Sequence, residues 1–493
     1  MEGRTMKRLL GVTTATLALI VGLVASTTGP ASATATISAD RAHVVNGTLV
    51  DQFGRIIVPH GLNVVLKAPP YAPDAIGFSA DDADFLVANG YTSVRLGIIW
   101  KGLEPTPGHY DDTYLNRIRT TARMLAARGI WVLLDFHQDM YSDAFQGDGA
   151  PDWATQTGGL LNPQYGFPFN YAYNPALNHA FDLFWGNAAA PDGIGLQTHF
   201  ANAWAHVALF FASTQHIVGF DLFNEPWPGS TYPACSNPSG CAAQDAVLQK
   251  FQQSVIDHIR TVDARTTLFY EPYVTFNGGV STAVAPRGTN LGFSFHDYCN
   301  DPQNSSTCAA ADNTVMRHQK AHTAATGAAA MLTEFGATGD TVLLARIVDL
   351  AAAARLPWMN WAYTAFDPLT VASGGVEALV HDPRKPPKGT NIDWGKVGAL
   401  AVPHPLAVAG SNVGWVYSRR THAFTITWST VRLGTHVRWR AGTPSVLELP
   451  AFFYPHGNRI QVSGGYAMRG ANVTVTVRQA AGATTMTVRI TTG

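Results

Sequence analysis

A chain of 493 residues is too long for one ordinary hydrophobic core, so two domains are expected. Hydrophobic residues make up 46% and charged residues only 14%, which excludes a disordered chain. The formal net charge of −1, with no long run of one sign, removes the electrostatic footprint of a nucleic-acid binder or of a protein held on an anionic membrane.

The first element is the N-terminal leader. Lys7 and Arg8 precede the apolar run "LLGVTTATLALIVGLVA", and Ala31, Ser32 and Ala33 form an A-x-A cleavage site. Residues 1–33 therefore read as a secretory signal peptide, with Met6 a plausible start, and predict an extracellular protein. A single membrane anchor is the alternative, but the run is short, Thr-interrupted and followed at once by the cleavage site. No later apolar segment is long enough to span a bilayer.

Beyond the leader, short apolar runs alternate with helical stretches. The runs are "IIVPHGLNVV", "SVRLGIIW", "IWVLLDFH", "IVGFDLFNE", "TTLFYEP", "LGFSFHDY", "AAMLTEFG" and "PWMNWAYT". Between them lie segments such as "DTYLNRIRTTARMLAARG" and "AVLQKFQQSVIDHIRTVD", with helical apolar spacing and a Gly stop after the first. Eight such strands predict an α/β fold, a (β/α)8 TIM barrel over 38–402. An open doubly wound sheet lacks its G-x-G-x-x-G after the first strand. Residues 141–200, rich in Gly, Pro, Asn and aromatics, break the alternation and read as a wall or lid of the cleft. From 403 to 493, runs such as "AFTITWST", "NVTVTVRQ" and "TTMTVRITT" alternate at period two, the pattern of a C-terminal antiparallel β-sandwich.

Cys235 and Cys241 bracket "SNPSG", and Cys299 and Cys308 bracket "NDPQNSST". Two local disulfides are the simplest of three pairings and suit an oxidising compartment. A zinc site built from all four cysteines is the rival, without the usual C-x2–4-C spacing.

Polar groups gather at the C-terminal strand ends, which in such a barrel converge on one cleft. They are Arg95, His137, Asp139, Asn224, Glu225, Glu271, His296, Tyr298, Glu334 and Trp361. Glu225 and Glu334 close the fourth and seventh strands, and Pro226 is expected to hold Glu225 extended at the rim. Two carboxylates across one cleft suit glycoside hydrolysis, one as acid and one as nucleophile or base. Arg95 would keep Glu334 ionised, and apolar surroundings would keep Glu225 protonated. Asn224 would hydrogen-bond the sugar 2-OH, although in a regular strand it would face away from Glu225. Glu271 competes for either role, and a lone His296 is more often a satisfied core residue than a catalyst. His137 and Asp139 as metal ligands would imply a metal-dependent hydrolase, but no second cluster completes such a site. No G-x-S-x-G elbow supports a serine nucleophile. No metal and no cofactor are expected.

Together, "NEP" at 224–226, "TEFG" at 333–336, Arg95 in "SVRLG", His137 in "DFHQD", "FHDY" at 295–298 and Trp361 resemble glycoside hydrolase family 5. That resemblance implies a retaining enzyme with Glu225 as acid/base and Glu334 as nucleophile. It also implies Tyr298 orienting Glu334, and Trp361 flooring the cleaved sugar. Across nearly the whole mature chain, "HGLNVVLKAPP", "DFHQDMYS", "GFDLFNEPWPG" and the C-terminal β region are similar to bacterial endoglycoceramidases. Their resemblance implies cleavage between oligosaccharide and ceramide, and Lys67, His137, Asp139, Asn224 and Tyr298 as sugar contacts. It further implies an apolar lipid channel, supported by the long third insertion and by "YVTFNGG". The expected partner is a glycolipid, with transient contact to micelles or a membrane surface, no nucleic acid, and a monomeric state. The alternatives are a hydrolase of galactosylceramide-type or other hydrophobic β-glycosides, a soluble β-glucan or mannan hydrolase, and a non-catalytic binding protein.

Overall fold

The structure is a computed structural model that describes residues 40–299, 305–365, 375–470 and 473–493; the expected leader lies outside them. Eight strands close a parallel barrel. The chain begins with β1 (His43–Val45), β2 (Thr48–Val50) and β3 (Ile56–Ile57), and the barrel follows as β4 (His60–Val64), β5 (Ser93–Ile99), β6 (Trp131–His137), β7 (Ile217–Asp221), β8 (Leu268–Tyr270), β9 (Leu291–Asp297), β10 (Ala329–Phe335) and β11 (Trp358–Asn360). Every residue of β5, β6 and β9 is buried, because helices cover a parallel sheet outside and side chains fill it inside. That is why these strands read as continuous apolar runs. The helix Asp112–Ala126 starts where Asp111 accepts from the amides of Thr113 and Tyr114, and Thr341–Ala354 starts on Asp340 in the same way.

The C-terminal strands are β12 (His404–Val408), β13 (Ser411–Ser418), β14 (Ala423–Ser429), β15 (Pro444–Glu448), β16 (Asn458–Ser463), β17 (Gly465–Arg469), β18 (Thr474–Gln479) and β19 (Thr485–Thr492). They form two antiparallel sheets, as the period-two pattern predicts, with alternate residues of β14, β18 and β19 buried. The expected barrel range 38–402 needs one correction. Strands β1 to β3 belong to the C-terminal sheet, where Ile57 pairs with Ala407 and Ile56 with Val408. The run "IIVPHGLNVV" is thus two strands, divided near Pro59, which has no N–H to continue a ladder.

The two halves meet at the N-terminal ends of the barrel strands, away from the polar strand ends. His60 stacks on Trp358 at 4.5 Å and on His404 at 3.8 Å. Neither ring nitrogen of His60 has a hydrogen-bond partner among the described residues. Burial pushes the His60 imidazole well below its ordinary pKa and takes His404 down to about 4. Both expected disulfides are present, Cys235–Cys241 and Cys299–Cys308. Among the described residues, no helix is long and apolar enough to cross a membrane.

Unfolding would let these imidazoles bind protons that the native state refuses. Their contribution is complete above the ordinary histidine pKa of 6.5 and fades as pH falls toward about 4. His60→Phe removes one such group without emptying the stack. Thermal melts from pH 7 to pH 4 should therefore show the wild type losing more melting temperature than the variant; parallel losses would refute the assignment.

Candidate active site

Arg95, in the middle of β5, is fully buried and reaches across the barrel floor. Its Nε donates to Asp221 at 2.9 Å, and its Nη2 pairs with Asp135 at 2.9 Å. Nη2 also donates to Asn224 Oδ1 at 2.9 Å, and Nη1 donates to Asn63 Oδ1 at 3.2 Å and to Glu334 Oε1 at 2.5 Å. Tyr298 completes Glu334 by donating its hydroxyl to Oε2 at 2.9 Å. A shift in register between Leu332 and Glu334 lets β10 present this carboxylate at the rim.

Glu225 lies beyond β7, in a turn, and not at the end of an extended strand. Its φ is +42°, in the left-handed region, so the expectation that Pro226 holds it extended is corrected. The turn answers the alternation problem, since Asn224 and Glu225 both enter the site. Gln138 holds the turn: its Nε2 donates to the carbonyls of Asn224 and Glu225 at 2.8 and 3.0 Å. Asn224 Nδ2 returns a bond to the Gln138 carbonyl at 2.9 Å, and the Tyr141 amide fixes Gln138 Oε1 at 2.8 Å.

The Glu225 carboxyl sits among polar groups, not the apolar surroundings expected. His296 Nδ1 is 2.8 Å from Oε1, and Asn277 Nδ2 donates to the same oxygen at 2.6 Å. Burial pushes this carboxyl up to about 7, the Asp139 charge adds to the rise, and Asn277 opposes it. Burial takes His296 down to about 3, so its ring is neutral near pH 7. Glu271 stands behind the pair: Oε2 accepts from the Glu225 amide at 3.2 Å, and burial followed by the Asp221 charge drives its pKa well up. That backing position separates it from the two rim carboxylates.

On the other side, Lys67 pairs with Asp139 and lies 4.4 Å above the Trp361 ring. His137 stacks on Trp361 at 5.4 Å and contacts Asp135 at 2.8 Å. Burial opposes the imidazolium, but Asp135 and Asp139 outweigh it and raise His137 to about 10. Burial also opposes the Asp139 charge, yet Lys67 and His137 hold its pKa below the ordinary range. The structure therefore brings together Lys67, Arg95, His137, Asp139, Asn224, Glu225, His296, Tyr298, Glu334 and Trp361.

Single donor atoms of Glu225, His296 and Glu334 lie within 4.8 Å of one another, a spacing a metal ion can use. Both Glu334 oxygens already accept hydrogen bonds, Oε1 from Arg95 and Oε2 from Tyr298, and Oε2 is the one that lies 3.6 Å from His296 Nδ1. Asp135, Asp221, Asn63, Gln138 and Asn277 escaped the sequence analysis. Asp135 and Asp221 had a signal, since a charge inside an apolar strand must find a partner. Asn277 had none: "YVTFNGG" reads as apolar lining, whereas Tyr273 and Phe276 are buried in the core and Asn277 reaches Glu225.

The model of the cellulase family, glycosyl hydrolase family 5, matches residues 64–367, and that of the family 5 C-terminal domain matches 403–491. Endoglycoceramidase I of Rhodococcus hoagii (strain 103S) is 29% identical over 480 residues, covering 94% of this chain and 89% of that protein. Endo-glycoceramidase II from Rhodococcus sp., solved as a lactosyl-enzyme intermediate, superposes with a TM-score of 0.74 at 28% identity, covering 91% of this chain and 100% of that one. Its ganglioside GM3 complex gives 0.72 at 26% identity, with 91% and 100% covered.

Gln138→Leu should loosen the Glu225 turn while sparing the substrate cleft. Turnover is expected to fall roughly tenfold to a hundredfold with little change in KM. The loss in kcat/KM should shrink on an aryl glycoside whose leaving group needs no proton, because kcat/KM reports the first step alone. Steady-state kinetics on both substrates would reveal an equal loss if Gln138 served folding alone.

Proposed function

The chain belongs to glycoside hydrolase family 5, and on that premise we propose that it is a retaining endo-β-glycosidase that cuts between oligosaccharide and ceramide in glycosphingolipids. The observation that carries the mechanism is the close approach of two carboxyl groups in unlike surroundings. One oxygen of each lies within the 4.8 Å cluster, an approach that suits the separation of about 5–5.5 Å between the carboxyl groups of a retaining enzyme.

Glu334, with its oxygens engaged by Arg95 and Tyr298, attacks the anomeric carbon. Glu225 gives its proton to the ceramide oxygen as the C–O bond breaks, leaving a glycosyl–Glu334 ester. Glu225, now a carboxylate, takes a proton from water, and the resulting hydroxyl displaces Glu334 and frees the oligosaccharide. Asn224 retains a second amide hydrogen for the sugar, while Lys67, His137, Asp139 and Trp361 offer a charged wall and an aromatic floor. The signal-peptide pattern of 1–33 and the two disulfides favour action outside the cell.

Product analysis is the deciding experiment. The mature protein is incubated with lactosylceramide or a ganglioside, and separately with a soluble cello-oligosaccharide. Mass spectrometry should find intact oligosaccharide and free ceramide; cleavage of the soluble sugar alone would overturn the glycolipid assignment. Glu334→Ala should lower turnover at least about a thousandfold while leaving the circular dichroism spectrum unchanged.

The acid must be protonated to work. The kcat/KM for glycolipid should therefore fall as pH rises through about 7, the value to which burial lifts Glu225. With an acidic phenol as leaving group this alkaline limb should flatten. A limb that persists unchanged would assign the ionisation to another group.

A further inference from the structure

The insertion between β6 and β7 carries an exposed apolar patch. Asn170 and Asn174 are buried and brace it, and the exposed Asn162 ties its outer loop down. Asn170 Nδ2 donates to the Phe145 carbonyl at 2.7 Å, Asn174 Nδ2 donates to Asn162 Oδ1 at 2.6 Å, and Asn162 Nδ2 donates to the Ala144 carbonyl at 2.9 Å. Five large apolar side chains nevertheless turn outward: Leu161 is 82% exposed, Tyr173 66% and Phe169 58%, with Leu160 and Tyr165 beside them. Phe169 and Tyr173 are four residues apart on the helix Phe169–Tyr173 and share one face, while Asn170 and Tyr171 face inward. Tyr165 meets Tyr173 at 6.2 Å, so the patch is continuous there. An ordered apolar surface of this kind marks an interaction site.

Charge and position identify the occupant. No Asp, Glu, Lys or Arg occurs between Trp153 and Asn178, so this face matches an uncharged partner and has nothing to offer an anionic one. Tyrosine, phenylalanine and leucine around an amide-rich frame suit the boundary between headgroups and acyl chains. The patch is also tied to the site. The Tyr171 hydroxyl accepts from the Met140 amide at 2.7 Å, next to Asp139. The Tyr171 ring lies 4.9 Å from Trp227, two residues after Glu225. It therefore flanks the residue that protonates the leaving ceramide.

We infer that the face formed by Leu160, Leu161, Tyr165, Phe169 and Tyr173 docks the enzyme on the neutral, zwitterionic lipid surface that holds its substrate, with the leaving-group side of the cleft toward the bilayer. The inference rests on the glycolipid function proposed above, but its test is separate. The triple variant Leu161→Ser, Phe169→Ser, Tyr173→Ser is compared with the wild type in flotation with phosphatidylcholine vesicles at low and high salt. Both proteins are then assayed on lactosylceramide in those vesicles and on a soluble aryl β-lactoside.

The wild type should float with the vesicles at either salt. The variant should bind at least about tenfold less and turn over vesicle-borne lactosylceramide correspondingly more slowly, with equal activity on the aryl lactoside. Equal flotation of the two proteins would overturn the docking face. So would a wild-type dimer in light scattering that becomes a monomer in the variant, since a second copy would then cover the patch. If neither protein releases ceramide even from detergent-dispersed lactosylceramide, the glycolipid function fails, while flotation still decides the surface.

Discussion

One guanidinium organises this molecule. Arg95 is buried in the barrel floor, where an unpaired charge would be prohibitively costly, so the surrounding strands must supply partners. They do so from all around the barrel: Asn63 on β4, Asp135 on β6, Asp221 on β7 and Glu334 on β10. The planar fork of an arginine serves several fixed directions at once, which a lysine ammonium does not. Closing the barrel and positioning the nucleophile are thus the same event. Misregister any of these strands and a buried charge loses its partner.

From this centre the site divides electrostatically. Glu334 lies on the guanidinium side and shares it with Tyr298. Glu225 is displaced onto a left-handed turn, beyond direct contact with Arg95, where burial and the Asp139 charge favour its protonated form. A neutral histidine and an asparagine are its immediate companions. Two residues of identical chemistry acquire opposite duties because one faces a cation and the other a desolvated amide frame. Lys67 and His137 keep the far wall charged without bringing a cation into contact with the acid.

Much of this was legible in the sequence because strand ends in a closed parallel barrel have only one place to go. The eight apolar runs, the carboxylates on the fourth and seventh, and Arg95 all follow from that constraint, while the cysteine pairs follow from their short spacing in polar loops. What escaped was the local geometry that repeats and periods do not encode. Period-two alternation does not foresee the turn at Glu225, whose left-handed φ depends on carbonyls held by Gln138 from a neighbouring strand end. Asn277 was hidden among aromatics whose rings turned out to be core. The division of "IIVPHGLNVV" into two sheets depends on a partner strand hundreds of residues away, which local pattern does not report.

That last pairing bears on how the chain comes to be made. Ile57 leaves the ribosome 350 residues (407 − 57) before its partner Ala407. At ordinary elongation rates the wait is on the order of tens of seconds. For all that time β3 has an unfilled edge, and His60 lacks the imidazole that later stacks on it. The underside of the barrel therefore cannot be finished until the last stretch of the chain has been made. The chain's two ends are one late-forming clasp, and its C-terminal sheets are not an appendage that can be left off.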